Sequence, residues 1–368
     1  MSYQDLWFYV LLVTAAGFVL SYIFSFFTRR WAVQYRALDM PRGGRKIHEQ
    51  PTPLWGGLGI LLALMLVVLF LCFDGGIFLA KISIEQIVGF LLGLIVLNVG
   101  GMLDDKYVLK PWQSIVFPIL ASLLVIISGT TIMHVTSPAT STAWYLNWWT
   151  WRPWDGFYVL SLPGDLITFV WLMVAVYATK ITDGLDGLVT GITVIGAAMV
   201  GLLSALPTYF QPGSAILAAA VGGSYLGFLP VNKHPAKQFL GEGGSTMAGF
   251  CLGFLAIVSS AKIAIAMAVL AIPVADIFFV VLRRCWRRQN PFKGDDTHLH
   301  FRLRAAGLPY KTTIWLLWLV SAAAGSLALT LQTRGKIFLV GTMVILTGLI
   351  SWFIDDLIKR KTKNRSPQ

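Results

Sequence analysis

Apolar residues run along this chain in long blocks, and polar residues are confined to the short gaps between them. Blocks lie near 6–27, 54–73, 84–103, 112–132, 164–180, 187–206, 212–231, 245–260, 262–282, 312–331 and 336–358. An α-helix of about 20 apolar residues crosses the hydrocarbon layer of a bilayer. The pattern therefore predicts an all-α integral membrane protein of about eleven transmembrane helices in a single polytopic domain. The first block is longer than a signal-peptide core, no basic residue precedes it, and no small-residue cleavage site follows, so it is expected to be a retained span. No internal repeat marks an inverted-repeat transporter.

Composition agrees with the pattern. Of 368 residues, 56% are hydrophobic and 12% charged, with mean hydropathy +0.71. A soluble domain carries roughly 25% charged residues. Cys72, Cys251 and Cys285 stand far apart with neither disulfide-framework nor metal spacing, and are expected to be packing residues.

Charge sets the orientation. With the N-terminus outside, 28–53, 104–111, 181–186, 232–244, 283–311 and the tail from 359 are cytoplasmic. That arrangement puts 24 of the 29 Lys and Arg inside, leaving Lys81, Arg152, Lys262, Arg334 and Lys336 outside. Acidic residues divide 12 inside and 5 outside, so net charge is 24 − 12 = +12 inside and 5 − 5 = 0 outside. The basic balance thus reads as attraction to anionic membrane lipids, with no call for nucleic acid. The outer loop 133–163 carries Trp144, Tyr145, Trp148, Trp149, Trp151 and Trp154, which suit an interfacial segment.

The distinctive chemistry falls on the inner face. Asp183 and Asp186, each followed by glycine, sit between two spans. In a helical backbone both would project to one side, and helix capping is the plainer alternative. Span three ends in Asp104-Asp105-Lys106, two carboxylates at a helix C-terminus where the macrodipole disfavours anions. A metal ion or cationic partner would offset them, and solvated end charges are the alternative. Phe239-Leu240-Gly241-Glu242-Gly243-Gly244-Ser245 opens span eight, and such glycines can cradle a phosphate. Glu242 would repel that phosphate unless a cation lay between. Asp276 lies within span nine behind Pro273, either as a functional acid or paired with a neighbouring helix, Arg283 or Arg284. His298-Leu299-His300-Phe301-Arg302 could hold a pyrophosphate or a metal. Arg45-Lys46-Ile47-His48 precedes Gly56-Gly57 as a basic re-entry to the membrane, and Asp355-Asp356 before Lys359-Arg360 suits pairing at a helix end.

Taken in order, Arg45-Lys46-x-His48, Gly56-Gly57, Asp104-Asp105, Asp183-Gly-Leu-Asp186-Gly-Leu, Phe239-x-Gly241-Glu242-x-Gly244-Ser245 and His298-x-His300 resemble the polyprenyl-phosphate N-acetylhexosamine-1-phosphate transferases over nearly the whole chain. The resemblance implies a helical enzyme of the cytoplasmic membrane, often a homodimer. Such an enzyme moves a sugar 1-phosphate from a UDP-N-acetylhexosamine to a polyprenyl phosphate and releases UMP. It implies Mg²⁺, with Mn²⁺ as a substitute. The interval from His48 to Gly56, and Phe301 where the peptidoglycan enzymes carry a third histidine, resemble the GlcNAc-1-phosphate branch of surface-polysaccharide and teichoic-acid synthesis. Phospho-MurNAc-pentapeptide transfer is the alternative, and a lipid or solute transporter the rival from another class.

By that resemblance Glu242, Asp105 and Asp186 are assigned to the metal. His298, His300 and Arg302 hold pyrophosphate, Phe239 stacks on uracil, and Gly184, Leu185 and Asp186 line the nucleotide pocket. Asp104 engages the lipid phosphate, with Asp183, Lys180, Arg45, Lys46 and His48 completing the site. Two departures stand out: Tyr177 and Lys180 replace asparagines usual in the family, and Glu242 replaces an aspartate. A protonated lysine cannot ligate metal, so Lys180 and Glu242 are expected within ion-pair or water-bridged reach. Loss of the metal altogether would mark an altered relative.

Overall fold

The computed structural model describes residues 3–41, 50–74, 78, 82–137, 142–154, 158–259, 263–286, 288 and 298–363. Arg45, Lys46 and His48 lie outside them. In chain order the helices are α1 (Tyr3–Gln34), α2 (Gly56–Asp74), α3 (Ile84–Tyr107), α4 (Pro111–Ser114), α5 (Val116–Ile127), α6 (Gly164–Thr182) and α7 (Leu188–Ala205). They continue with α8 (Pro212–Asn232), α9 (Gly241–Val258), α10 (Ile263–Val269), α11 (Ala271–Trp286), α12 (Leu299–Ala305), α13 (Tyr310–Thr330) and α14 (Thr333–Lys363). Among the described residues, nine helices are long and apolar enough to cross a bilayer.

Two expected spans are interrupted, each by proline. The block at 262–282 becomes α10 and α11, bent by 71° about Leu270. Pro273 has no N–H to offer the carbonyl of Val269, so the helical ladder stops there. The block at 112–132 becomes α4 and α5 and ends at Ile127. Pro118 likewise cannot donate to Ser114, where α4 terminates.

The structure is also not purely helical. Beyond the short pair β1 (Leu38–Asp39) and β2 (Thr52–Pro53), the Trp-rich loop forms β3 (His134–Thr136), β4 (Ala143–Tyr145), β5 (Asn147–Trp154) and β6 (Tyr158–Pro163). These pair antiparallel as β3–β4 and β5–β6. Trp144, Trp148, Trp149 and Trp151 stay exposed on them. Asp165 at the start of α6 ties this region down, accepting from Thr131 Oγ1 at 2.6 Å and Ser161 N at 2.7 Å.

The core is built around α9, 83% of whose apolar window is buried, whereas α1 and α14 are 22% and 17% buried and form the rim. Phe90 on α3 stacks on Phe254 at 4.4 Å and on Phe250 at 5.9 Å. Trp171 Nε1 donates to Gly253 O at 3.0 Å. Small residues set the helix spacing, as expected where apolar lipid leaves packing to drive association. A Cβ on Gly101 would lie 2.0 Å from Gly243 N, and one on Gly57 2.3 Å from Gly244 N. The first turn of α9 is thereby seated between α2 and α3. Gly223 and Gly227, one turn apart on α8, do the same against Thr14 and Phe18 of α1.

Candidate active site

At one end of the bundle a cavity of about 1050 Å³ opens where α3, α6, α7 and α9 meet. Asp104, Asp105, Lys180, Asp183, Gly184, Leu185, Asp186, Phe239 and Glu242 all line it. Residues separated by more than a hundred positions are thus brought together.

Helix ends position the acids. Asp104 accepts Leu109 N at 2.8 Å through Oδ1, while its carbonyl takes Val108 N. Asp105 Oδ1 accepts the backbone N–H of Glu242 at 3.0 Å. The positive N-terminus of α9 therefore faces a carboxylate at the negative end of α3, which supplies part of the compensation that two adjacent acids require. It also corrects the expected phosphate cradle. The Glu242 N–H is used by Asp105, and Gly243 and Gly244 serve the close approach of α2 and α3.

Lys180, in the last turn of α6, forms an ion pair with Glu242 and donates to Ser114 Oγ at 3.0 Å. The two departures from the family pattern are therefore one interaction. Tyr177, one turn earlier, lies with its ring centre 5.5 Å from the Lys180 ammonium.

Asp183 and Asp186 occupy the turn between α6 and α7, not a helix. Gly187, at φ +80°, is the residue that starts α7, so neither aspartate is an N-cap. Burial pushes the Asp183 carboxyl up to about 8, helped by the charges of Glu242 and Asp186 and opposed by the Ser245 hydroxyl. Asp186 Oδ2 accepts from His234 Nδ1 at 2.9 Å and Ala236 N at 3.1 Å. His234 stacks on Tyr310 at 3.9 Å. His234 and Tyr310 line the cavity, and no motif in the sequence singled them out. Their one signal was position, since His234 follows Asn232 and precedes the Phe239 motif.

The late loop contributes differently from expectation. Asp276 Oδ2 accepts from His298 Nδ1 at 2.9 Å, and its Oδ1 caps α12 through Leu299 N at 2.9 Å. Of the open readings for Asp276, the structure thus supports a paired acid, but paired with His298 rather than arginine. His300 is buried and its imidazole held down at about 4 by burial, so it is uncharged at neutral pH. Its ring sits against Gly184, where a Cβ would lie 2.2 Å from Nε2. His300 therefore supports the acidic turn from behind and does not reach the cavity. Arg302 pairs with Asp355 on α14 at 2.6 Å and donates to the Ser351 carbonyl. It locks α12 to α14 and is not available to a pyrophosphate. Asp355 also takes Arg283 at 3.3 Å; the side chains of Lys359 and Arg360, expected to pair along the same helix, lie outside the described residues. Of this motif it is Phe301 that lines the cavity.

The metal assignment also changes. Among the described residues no three His, Cys, Asp or Glu side chains are grouped to hold an ion. Glu242 is committed to Lys180, and Asp186 to His234 and Ala236. Among the described residues no cationic side chain pairs with Asp105 or Asp183, a donor set that fits Mg²⁺ entering with a diphosphate rather than a caged resident ion.

Comparison with known proteins places these features in context. A family model described as glycosyl transferase family 4 matches residues 87–260. A probable undecaprenyl-phosphate N-acetylglucosaminyl 1-phosphate transferase of Bacillus subtilis is 26% identical over 347 residues, covering 91% of this chain and 89% of the relative. A phospho-N-acetylmuramoyl-pentapeptide-transferase of Halalkalibacterium halodurans is 30% identical over 329 residues, covering 85% and 93%. A decaprenyl-phosphate N-acetylglucosaminephosphotransferase of Mycolicibacterium smegmatis is 25% identical over 373 residues, covering 92% and 86%.

Proposed function

The chain belongs to glycosyl transferase family 4, and from that premise we propose that it transfers N-acetylglucosamine 1-phosphate from UDP-GlcNAc to a polyprenyl phosphate at the cytoplasmic face of the membrane, releasing UMP. The observation that carries the reading is the convergence of Asp104, Asp105, Asp183, Asp186, Glu242 and Lys180 on one cavity at a helix-bundle end. A soluble nucleotide sugar and a lipid-borne phosphate can meet there.

The cleaved diphosphate and the attacking lipid phosphate are both anionic, so rate depends on matched charge and alignment. Lys180, steadied by Glu242 and Ser114, presents a fixed ammonium to the phosphates. Asp104 positions the lipid phosphate. That phosphate, with a second pKa near 6, is already ionised and needs no general base. Bound Mg²⁺, or Mn²⁺ in its place, would be held by Asp105 and Asp183 and would neutralise and polarise the diphosphate. Asp186, Leu185 and Phe239 form the nucleotide wall.

The relative at 30% identity favours a second donor, UDP-MurNAc-pentapeptide, with the same chemistry. A transporter is less well supported, because the deep acid Asp276 is engaged by His298. The test is UMP release from UDP-GlcNAc by purified protein. Release should require both added polyprenyl phosphate and Mg²⁺, with UDP-MurNAc-pentapeptide offered in parallel. Preference for the pentapeptide donor selects the second reading, and release from neither donor sinks both.

A further inference from the structure

We propose that His234 is a specificity-determining residue of the donor site, presenting Nε2 as a hydrogen-bond acceptor to an uncharged N–H or O–H group of the uridine half. The inference rests on the transfer reading above and adds to it a residue that neither the motifs nor the family pattern supplied. His234 lies on the connection between α8 and α9 and lines the cavity. A carboxylate only accepts, so the 2.9 Å contact with Asp186 Oδ2 requires the proton on Nδ1. The ring is held on a second side by Tyr310, stacked at 3.9 Å and 26°, whose hydroxyl is itself 2.5 Å from Asp186 N. Ala236 N, at 3.1 Å from the same Asp186 oxygen, fixes the carboxylate that fixes the ring.

These contacts leave one nitrogen. Nε2 lies across the ring from Asp186, has no hydrogen-bond partner among the described residues, and belongs to a side chain 34% exposed on the cavity wall. In the neutral ring, a proton on Nδ1 leaves Nε2 as an acceptor. The Asp186 carboxylate in contact with the ring disfavours a phosphate at this position, and Lys180, Lys237 and Arg29, which also line the cavity, offer other places for one. The matching ligand group is therefore neutral: the uracil imide N–H or a ribose hydroxyl. A ring already clamped on two sides loses little entropy on binding, so the contact adds to affinity with little ordering cost.

A residue that merely steadies Asp186 would look similar, and two variants separate the roles. His234→Asn keeps a side-chain donor within reach of Asp186 but lacks the distal nitrogen. His234→Phe keeps the stack on Tyr310 and lacks both. With full-length protein in detergent, UMP affinity is measured by calorimetry and KM is measured for each substrate. Both variants are expected to weaken UMP binding about tenfold, the worth of one well-placed hydrogen bond. UDP-GlcNAc KM should rise alongside, with polyprenyl-phosphate KM unchanged. Repeating the binding with 2′-deoxy-UMP identifies the donor group, since a ribose contact predicts that the variants lose discrimination and an imide contact that they keep it. Wild-type UMP affinity in His234→Asn, or equal losses for both substrates, would overturn the proposal. Wild-type protein that binds UMP but does not turn over UDP-GlcNAc would sink the transfer reading instead, and the variants' UMP affinities would still decide His234.

Discussion

Lys180 and Glu242 act as a unit, and that has a measurable consequence. Removing either leaves the other as an unmatched charge in a largely enclosed site, which is costly whichever partner goes. Lys180→Ala and Glu242→Ala should each lower kcat by about 100-fold, and the double variant should be little worse than either single one. Multiplicative losses would show that the two residues serve separate tasks. Asp183 makes a second prediction at this scale. Its folded-state carboxyl is raised to about 8 from an ordinary 3.8. Between those values the folded protein keeps a proton that the unfolded chain has released, so stability falls as pH rises through this window and levels off above about 8. In chelator, Asp183→Asn should gain melting temperature over wild type between pH 5 and pH 8.5 by roughly 2 °C, while losing transfer activity. A constant difference across that range would refute the buried, protonated acid. At the residue scale, acids were legible from sequence because charge is scarce in so apolar a chain. His300 and Arg302 were misjudged because a motif states which side chains are near, not which way they face. Gly184 leaves room for the His300 ring behind the turn, and Asp355 captures Arg302.

Among the elements, α9 carries the heaviest constraint, because its first turn must lie close enough to α3 for Glu242 N–H to reach Asp105. Gly101 makes that approach possible, since its missing Cβ would stand 2.0 Å from Gly243 N, a backbone atom that cannot swing aside. Gly101→Ala should therefore cost about 1–3 kcal/mol of stability through overpacking, with transfer activity falling further than folded yield as the Asp105 contact is strained. Gly341 has open space on every side and is the control, with Gly341→Ala expected at wild-type stability. Equal behaviour of the two variants would remove the packing argument. Helix existence was readable from apolar block length alone, because burial in lipid demands it of every span. The glycines were visible too, but as a suspected phosphate cradle, since sequence does not distinguish a glycine that admits a ligand from one that admits a helix. The proline breaks needed the i−4 carbonyl to be identified, which the length of an apolar block does not show. The paired strands after α5 were not foreseen, because their tryptophans also suit a membrane interface in any conformation.

For the whole molecule the open quantity is how often the chain crosses the membrane. Among the described residues, nine long helices and the bent α10–α11 pair would make up to ten spans, an even number that would leave the two termini on the same side. The α4–α5 segment decides the parity. At its start Ser114 accepts from Lys180 Nζ beside the cavity, and at its end Gly129 O lies 3.5 Å from Gln86 Nε2 in the first turn of α3. The start of α3 and the cavity lie at opposite ends of that helix, because Asp104 and Asp105 close its other end. The α4–α5 segment therefore runs antiparallel to α3 between the two ends of the bundle, and we propose it as an eleventh crossing. An odd count would put the N-terminus and the basic tail on opposite sides, with the tail inside as the positive-inside rule expects of this sequence. In right-side-out vesicles a membrane-impermeant thiol reagent should leave the exposed Cys285 at the end of α11 untouched until the membrane is opened. A cysteine placed at Trp148, exposed on β5, should react at once. Labelling of both positions from the outside would mean that α4–α5 does not cross, and the cavity could no longer be assigned to the side where nucleotide sugars are made.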